Sequence, residues 1–318
     1  MTSLKVLVTG ANGFVGEALT LKMLVDKKFC PIATARRAIH LNGLCPVRFY
    51  DMSRTDSLPC LDDIDVVVHT AARVHVMTET SEDPLAEFRK FNVDGTLALA
   101  NLAAKSGVKR FIFISSIKVN GEVTTRFRPF TADCPPSPVD FYGVSKFEAE
   151  RALKKLHMDS GMEVVIIRPP LIYGPKVKGN FLTLLDCVKK GIPLPFGLIK
   201  KKRSLVSIGN LVSLIITCIE HPAAANQVFL VSDGRDLTLA EMMTHLSLGL
   251  GQTVKVFPVP TIVLYIVLSI FGKRSIAQRL CGSLQVDIDK NRKLLGWVPS
   301  VKVEDAMRQT AEHSLREI

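Results

Sequence analysis

The sequence lacks an apolar run long enough to cross a bilayer. Its most apolar stretch, residues 261–272, is followed by Lys273 and Arg274 and is well short of the ~20 residues that a spanning helix needs. Such a stretch predicts a helix that is buried or faces a second subunit. The alternative is a helix lying in a membrane interface as a peripheral contact, because the cations that follow it favour anionic headgroups.

Paired cysteines are also missing. The seven cysteines are scattered, and they form neither a C-x-x-C pair nor a His/Cys group at metal-ligand spacing. We therefore expect no disulfide framework and no metal site. The first predicted strand begins almost at once, with no basic segment and apolar run before it, so a secretory signal is not expected. These absences favour a cytoplasmic protein, with the inner face of the membrane as a further location.

Acidic residues are too few to balance the basic ones. Lys and Arg number 41 against 30 Asp and Glu, a formal net charge of +11, which favours anionic partners such as a nucleotide sugar, a nucleic acid or an anionic membrane surface. No aromatic RNA-binding motif or helix-turn-helix pattern accompanies the charge, so no nucleic-acid partner is expected. The densest run, residues 200–203, is a solvated loop, a phosphate site or a membrane contact. We favour solvation for its three lysines.

Short apolar runs rich in β-branched residues alternate with helical patterns. The runs are residues 4–9, 31–35, 47–50, 66–69, 110–115, 164–168 and 228–231. This alternation predicts right-handed βαβ units and an α/β fold with a doubly wound parallel sheet of the Rossmann type. Later the alternation weakens and Pro/Gly-rich pieces interleave with helices. We therefore predict a Rossmann domain from residues 1–175 with 204–232, and a smaller mixed α/β substrate domain from residues 176–203 with 233–318.

A glycine-rich turn links the first predicted strand to an amphipathic stretch at residues 14–27. Gly10 would make the tight turn, Gly13 would let the backbone approach phosphates, and Gly16 would let the helix pack closely. A strand, turn and helix in this order leave backbone N–H groups free at a helix N-terminus, which suits a pyrophosphate. The pattern predicts a dinucleotide cofactor, and an ordinary glycine loop is the alternative.

Tyr142 and Lys146 are four residues apart and so share one face of a helix. An ammonium beside a phenol lowers the pKa of the phenol from its ordinary value near 10, which gives a proton donor and acceptor near neutral pH. Ser115 and Ser116 end a predicted strand, and ligands of open α/β sheets bind beyond the carboxyl ends of the strands. We expect these four side chains to converge on one crevice.

Four segments together resemble the extended short-chain dehydrogenase/reductases, which include nucleotide-sugar epimerases, dehydratases and ketoreductases. They are TGANGFVG at 9–16, SS at 115–116, YGVSK at 142–146 and RPPLIYGP at 168–175. The likeness also includes HTAA at 69–72, NVDGT at 92–96 and LLGWVP at 294–299, and so covers nearly the whole chain.

The resemblance implies roles for individual residues. Tyr142 would be the acid/base, Lys146 would lower its pKa and hold the nicotinamide ribose, and Ser116 would hydrogen-bond the reacting oxygen. Ser115 is either a second substrate contact or a strand-end cap. Asn92 either fixes the geometry of the fourth and fifth strands or caps a helix.

Cofactor and substrate contacts are also implied by the resemblance. The cofactor contacts are Gly10, Asn12, Gly13, Phe14, Val15, Gly16, Arg36, Arg37, Asp51, Met52, Ala71, Ala72, Arg73, Tyr142, Lys146 and Pro169. The substrate contacts, besides Ser115 and Ser116, are Asn180, Arg203 and Arg279, which would grip the nucleotide diphosphate. For the last two, an exposed arginine without a ligand is the alternative.

The choice of reaction depends on two short segments. Ile117 and Lys118 stand where the family's dehydratases carry adjacent carboxylates, so dehydration is not expected. About 20 residues beyond Gly16, where an NAD-specific fold offers Asp or Glu, the chain has Arg36 and Arg37. A guanidinium pairs with a 2′-phosphate that a carboxylate would repel. NADP(H) is therefore favoured and NAD(H) is the alternative, unless the arginines merely start a solvated helix.

We therefore expect NADP(H)-dependent reduction of the C4 keto group of a UDP-4-keto-6-deoxy-N-acetylhexosamine, a step of surface-polysaccharide (O-antigen) precursor synthesis. One alternative is a 4-epimerase that acts on a UDP-hexose or UDP-N-acetylhexosamine with bound NAD. Another is a non-catalytic nucleotide-binding partner of a membrane glycosyltransferase. Helices at residues 97–104 and 148–156 would pair in a homodimer, as in dimers of the family.

Overall fold

The computed structural model describes residues 3–54, 57–74, 83–125, 128–270 and 282–316, together with residues 272 and 280. The strands are β1 (Leu4–Thr9), β2 (Phe29–Ala35), β3 (Val47–Phe49), β4 (Val66–His69), β5 (Arg110–Ile114), β6 (Glu163–Arg168), β7 (Leu171–Tyr173), β8 (Lys202–Arg203), β9 (Leu205–Ser207), β10 (Val228–Leu230) and β11 (Leu237–Thr238). The α-helices are α1 (Phe14–Val25), α2 (Pro84–Arg89), α3 (Thr96–Lys105), α4 (Phe141–Ser160), α5 (Asn180–Lys189), α6 (Ile208–Glu220), α7 (Leu239–Gly249), α8 (Thr261–Ile270), α9 (Asp289–Leu295) and α10 (Val303–Arg316). A π-helix over Lys90–Gly95 leads into α3, and 3-10 turns cover Ile117–Val119 and Pro222–Ala224.

Seven parallel strands form one sheet in the order β10-β6-β5-β4-β1-β2-β3. All seven predicted strands lie in it, with ends shifted by at most two residues. The chain winds outward in one direction from β1 to β3 and in the other from β4 to β10, so its direction reverses between β1 and β4. The predicted doubly wound α/β fold is confirmed. In such sheets, ligands bind at the carboxyl ends of the strands beside this reversal.

β1 shows why the strands could be recognised in the sequence. Val6 and Val8 pack into the core that α1 and α6 share with the sheet, whereas Leu7 packs into the core on the side of α3 and α4. Successive side chains of a strand point to opposite faces. A strand that is covered on both faces is therefore apolar at consecutive positions.

A second hydrophobic core, here called the second lobe, joins α5, α7 and α10. Its buried side chains include Phe181, Met243 and Met307. Two pairs of short strands accompany it: β8 runs antiparallel to β11, and β7 runs parallel to β9. Leu295 and Trp297, which the predicted boundaries assign to the smaller domain, pack instead against the core of the sheet. The predicted domain boundaries themselves stay a proposal.

The apolar stretch after residue 260 forms α8, but much of this helix is exposed. Leu264 packs against the second lobe, whereas Ile262 and Ile270 are 69% and 76% exposed. Burial within the chain, one of the two predicted placements of this helix, is therefore wrong, and a contact with a second subunit stays a prediction. Lys273 and Arg274 lie outside the described residues. Across the described ranges, none of the helices combines the length and the apolar character needed to cross a membrane.

Candidate active site

The turn between β1 and α1 has a shape that requires glycine. Gly10 has a φ of +66°, and a Cβ at this position would lie 2.9 Å from the backbone of Ala71. A Cβ on Gly16 would collide with the carbonyl oxygen of Gly10. Gly13 precedes α1 and offers it no side-chain cap. The turn and the first N–H groups of α1 thus form a bare backbone surface, which fits a pyrophosphate.

The end of β4 is held beside this turn by hydrogen bonds. Thr70 Oγ1 donates to the Thr9 carbonyl oxygen at 2.5 Å, and the Ala71 N–H donates to Thr9 Oγ1 at 3.2 Å. The ring of His69 joins Thr9 Oγ1, at 2.8 Å, to Thr96 Oγ1, at 3.0 Å. Burial lowers the pKa of His69 to about 3. His69 is therefore a neutral link between β1 and α3, and not an acid/base near neutral pH.

Lys146 is buried on the inner side of α4. Its Nζ donates to the carbonyl oxygen of Ile114 at 2.9 Å, where β5 ends. The same atom lies 4.4 Å from the ring centroid of Phe113 and 6.0 Å from that of Tyr142. Burial lowers the pKa of Lys146 to about 7, although the Glu150 carboxylate opposes this. The predicted proximity of the lysine and the tyrosine is therefore present.

Tyr142 lies half-buried in the first turn of α4. Its ring meets Phe88 edge-on at a centroid distance of 6.1 Å, and Lys118 Nζ lies 5.9 Å from its centroid. Burial raises the pKa of the phenol above its ordinary value, and the nearby Asp140 carboxylate adds to the rise. This corrects the expectation that Lys146 lowers that pKa.

The two serines at the end of β5 have different surroundings. Ser116 is half-buried and begins the 3-10 turn, where its Oγ accepts a hydrogen bond from the Lys118 N–H at 3.3 Å. Ser115 is only 4% exposed, and its Oγ donates to Glu150 Oε1 at 2.6 Å. This geometry corrects the expectation that Ser115 contacts substrate and favours its structural alternative. Ser116 remains the predicted substrate contact.

A buried ion pair behind these serines was not predicted from the sequence. Arg168, at the end of β6, donates to Glu150 through Nε at 2.9 Å and through Nη2 at 2.5 Å, and Nη1 donates to Asn120 Oδ1 at 3.0 Å. Both charged side chains are almost inaccessible to solvent. One signal was available, because Glu150 follows Lys146 by four residues and so shares its buried face of α4.

Asn92 connects the end of β4 to α4. Its Oδ1 accepts from the Arg73 N–H at 2.8 Å, and its Nδ2 donates to the Arg73 carbonyl oxygen at 3.1 Å and to Ser145 Oγ at 3.0 Å. It lies inside the π-helix, so it is not a helix N-cap, and its contacts run to α4 rather than to β5. Asn92 therefore helps to position the helix that carries Tyr142 and Lys146.

The remaining predicted cofactor residues surround the same strand ends. Arg36 and Arg37 are exposed just after β2, and Asp51 and Met52 follow β3. Burial raises the pKa of Asp51, but hydrogen bonds from Ser53 and the charge of Arg36 outweigh it, so that this pKa is lowered. The others lie along the glycine turn or after β4 and β6: Asn12, Phe14, Val15, Ala71, Ala72, Arg73 and Pro169. Their contacts with a cofactor stay predictions.

The predicted substrate residues of the second lobe are described only in part. Arg203 lies half-buried in β8, where its Nη1 donates to the Gly282 carbonyl oxygen at 3.1 Å. Asn180 begins α5, but its side chain lies outside the described part of the chain, as does all of Arg279. The role of these residues in binding substrate stays a prediction.

Comparison with known proteins gives consistent matches. The NAD dependent epimerase/dehydratase family matches residues 6–232. A Vibrio cholerae protein named UDP-glucose 4-epimerase is 48% identical over 314 residues, which cover 98% of this chain and 95% of that protein.

Two solved structures have the same fold. The UDP-glucose 4-epimerase of Thermotoga maritima with UDP-glucose has a TM-score of 0.79 and 22% identity, covering 99% of each chain. The UDP-glucuronic acid 4-epimerase of Bacillus cereus in complex with NAD has a TM-score of 0.78 and 20% identity, covering 98% of this chain and 99% of that one.

Proposed function

The chain belongs to the NAD dependent epimerase/dehydratase family of nucleotide-sugar enzymes, the extended short-chain dehydrogenase/reductases, and we propose that it is a 4-epimerase of a UDP-hexose or UDP-N-acetylhexosamine with bound NAD. The observation that carries this proposal is the 48% identity, over nearly the full length of both chains, to a protein named UDP-glucose 4-epimerase. It supports epimerisation better than the 4-keto reduction expected from the sequence. Because the family consists of enzymes, the non-catalytic alternative is not retained.

The glycine turn fits the proposed cofactor. Gly10, Gly13 and Gly16 leave the backbone bare at the start of α1, where pyrophosphate oxygens would meet N–H groups. Lys146 is placed at the end of β5, where it would hold the nicotinamide ribose. When bound, NAD would supply a reversible acceptor of hydride from C4 of the sugar.

Tyr142 carries the proton in the proposed reaction. Its phenolate form would take the proton of the 4-hydroxyl group during oxidation, and the phenol so formed would return that proton to the oxygen during reduction. Ser116 would donate a hydrogen bond to the same oxygen. Since burial raises the pKa of the phenol, its base form needs a nearby positive charge. Lys118 can supply this charge, with its Nζ atom 5.9 Å from the ring centroid, and so can Lys146 in its protonated form, with its Nζ atom at 6.0 Å.

Lys118 also supports the exclusion of dehydration. Its Nζ pairs with Asp140, and Asp140 Oδ1 caps α4 by accepting from the Gly143 N–H at 2.7 Å. A dehydratase of the family would need adjacent carboxylates at positions 117 and 118. This chain instead has an ammonium that ties the 3-10 turn to the start of α4, which fits an enzyme that only moves protons and hydride at C4.

The proposed reaction is tested by following UDP-glucose and, separately, UDP-N-acetylglucosamine with NMR, without added cofactor. We expect one or both to reach equilibrium with the C4 epimer, and the denatured enzyme to release about one NAD per chain. The proposal would be contradicted if no epimer formed and the enzyme instead consumed one NADPH for each UDP-4-keto-6-deoxy-N-acetylhexosamine reduced.

Reduction with NADP(H) is the second candidate, and the exposed Arg36 and Arg37 favour it. Their guanidinium groups would pair with a 2′-phosphate. If this candidate is correct, the double variant Arg36→Ala/Arg37→Ala should weaken NADP binding at least about tenfold while NAD binding changes little, because a charge-assisted hydrogen bond contributes about 1.5–3 kcal/mol. An unchanged ratio of the two dissociation constants would remove the support for this candidate.

The proposal also covers where the substrate binds and how two chains assemble. We place the nucleotide part of a UDP-sugar against the second lobe, where Arg203 is the described candidate contact. We also propose a homodimer in which α3 and α4 of each copy pair about a two-fold axis, which leaves the second lobe of each copy free. A role in surface-polysaccharide precursor synthesis agrees with either candidate reaction.

A further inference from the structure

One side of α8 exposes a continuous apolar stripe. Ile262, Ile266 and Ile270 are 69%, 51% and 76% exposed and, at spacings of four residues, stand above one another on the helix. Val263 and Val267, both more than 40% exposed, widen the stripe. The other side of the helix packs on the second lobe through Leu264. Exposing so many large apolar side chains together is unfavourable in water, and such patches mark interaction sites.

A loop beside the residues that precede α8 carries further exposed apolar side chains. The Leu194 N–H donates to the Lys255 carbonyl oxygen at 2.8 Å, and the Phe257 N–H donates to the Leu194 carbonyl oxygen at 3.0 Å. Residues 191–199 therefore run beside residues 255–257, just before α8. This region adds three exposed apolar side chains, each between 42% and 44% exposed: Ile192, Leu198 and Phe257. Together with the outer side of α8 they form what we call the apolar–basic face.

The two sequence segments that carry this face have charged residues of one sign only. Residues 187–219 contain five lysines and one arginine without a single Asp or Glu, and residues 242–286 contain four cations and again no carboxylate. The exposed lysines of the described part of these segments are Lys190, Lys200, Lys201, Lys202 and Lys255. The net positive charge of the chain is therefore concentrated on the two segments that carry the exposed apolar side chains of this face.

We propose that the apolar–basic face docks on an anionic lipid bilayer, with the outer side of α8 at the boundary between headgroups and acyl chains. Exposed isoleucine and valine side chains suit this boundary, and lysines beside them suit anionic headgroups. A second copy of the chain is a poorer occupant, because a two-fold contact through this face would bring lysines against lysines with no carboxylate in either segment. This inference does not depend on which reaction the enzyme catalyses.

Cosedimentation with vesicles tests the docking. One set of vesicles is phosphatidylcholine alone, and the other contains about a quarter phosphatidylglycerol, an anionic lipid. We expect binding to the anionic vesicles, at least about tenfold weaker binding to the neutral ones, and release as salt rises to about 0.5 M, because salt screens exposed charges.

Paired variants separate the two parts of the face. Ile262→Asn/Ile266→Asn removes apolar area, and Lys200→Glu/Lys201→Glu reverses two charges; each should lower the partition coefficient at least about tenfold. The controls are Val25→Asn, at a position that is 78% exposed at the end of α1, and Lys27→Glu/Lys28→Glu, which makes the same change in net charge. The controls should bind as the unmodified chain does, and all four variants should keep its catalytic turnover.

Three results would overturn the inference. They are no binding to anionic vesicles, binding that the face variants leave unchanged, and an equal loss in the control variants. A fall in the solution mass of the Ile262→Asn/Ile266→Asn variant would also overturn it, because the face would then be covered by a second copy of the chain.

Discussion

Lys146 shows how burial sets the charge of a single residue. Its Nζ donates to the Ile114 carbonyl oxygen beside the ring of Phe113, and burial lowers its pKa to about 7, whereas a lysine in an unfolded chain has a pKa of about 10.4. Between these pH values the unfolded chain holds a proton that the folded chain has released. The folded state therefore gains stability as the pH rises through this range.

The variant Lys146→Met removes this pH dependence. For the nucleotide-free protein, we expect the free energy of unfolding of the unmodified chain to rise relative to that of the variant by about 2–3 kcal/mol between about pH 6.5 and 9.5. Urea unfolding at both pH values measures it. The control is Lys105→Met, at an exposed lysine at the end of α3. A constant difference between the unmodified chain and Lys146→Met would contradict the buried, titrating amine.

The sequence predicted where these side chains are but not how they ionise. A spacing of four residues placed Tyr142 and Lys146 on one helix face, because that spacing is a property of the helix alone. Their pKa values depend instead on what covers them, such as Phe88 and Phe113, and these residues come from distant parts of the chain. Ser115 is a similar case, because its partner Glu150 lies 35 residues away.

Among the elements, α6 is fixed at its C-terminal end by an arginine from β5. Arg110 Nη1 donates to the carbonyl oxygens of Cys218, Ile219 and His221 at 2.6, 3.0 and 3.0 Å, while the guanidinium also pairs with Glu163. The last carbonyl groups of a helix have no donor within the helix, and a positive charge there also suits the helix dipole. Arg110 thus holds α6 against the sheet.

The variant Arg110→Met should be strongly destabilising, because it leaves the carbonyl groups at the C-terminal end of α6 buried without hydrogen-bond donors. We expect a loss of about 3–5 kcal/mol in the free energy of unfolding. The matched control is Arg48→Met, which breaks a more exposed ion pair with Asp63 and should cost no more than about 1 kcal/mol. Urea unfolding compares the two. Equal losses would show that Arg110 is an ordinary ion-pair residue.

Elements were predicted better than the contacts between them. Most strands were visible because they are apolar on both faces, and α1 was visible from its glycine turn. Arg110 was placed only at the start of a predicted strand, since the carbonyl groups that it caps lie more than 100 residues further along the chain. The hydrogen bonds of the Asn92 side chain were likewise not predicted, because their partners Arg73 and Ser145 lie 19 and 53 residues away.

At the scale of the whole molecule, the two proposed surfaces lie on different parts of the chain. The dimer would use α3 and α4, which cover one face of the sheet, and membrane docking would use the second lobe. Sedimentation equilibrium should therefore give about twice the chain mass of 35.0 kDa, and the Ile262→Asn/Ile266→Asn variant should keep this mass. A monomer in the unmodified protein would contradict the proposed dimer.

At this scale, the sequence could not show whether α8 is buried or exposed. A ten-residue apolar helix has the same pattern whether a lobe covers it or leaves it open, and only the packing of Leu264 on one side shows which side is free. The fold was easier to predict, because the glycine turn, the buried strands and the Tyr142–Lys146 pair all indicate the same arrangement. The exact reaction depends on few residues, and Arg36 and Arg37 favoured a reductase where the full-length comparison favours an epimerase.

The most direct test of the central claim, that Tyr142 transfers the proton at the C4 oxygen, is the turnover of the Tyr142→Phe variant with the substrate that the unmodified enzyme epimerises. The control is Tyr50→Phe, at a buried tyrosine whose hydroxyl donates to the Gly95 carbonyl oxygen at 3.2 Å. We predict that Tyr142→Phe lowers turnover by about 10²–10⁴-fold with unchanged NAD content, while Tyr50→Phe stays within a few-fold of the unmodified enzyme. Turnover by Tyr142→Phe at the unmodified rate would contradict the account.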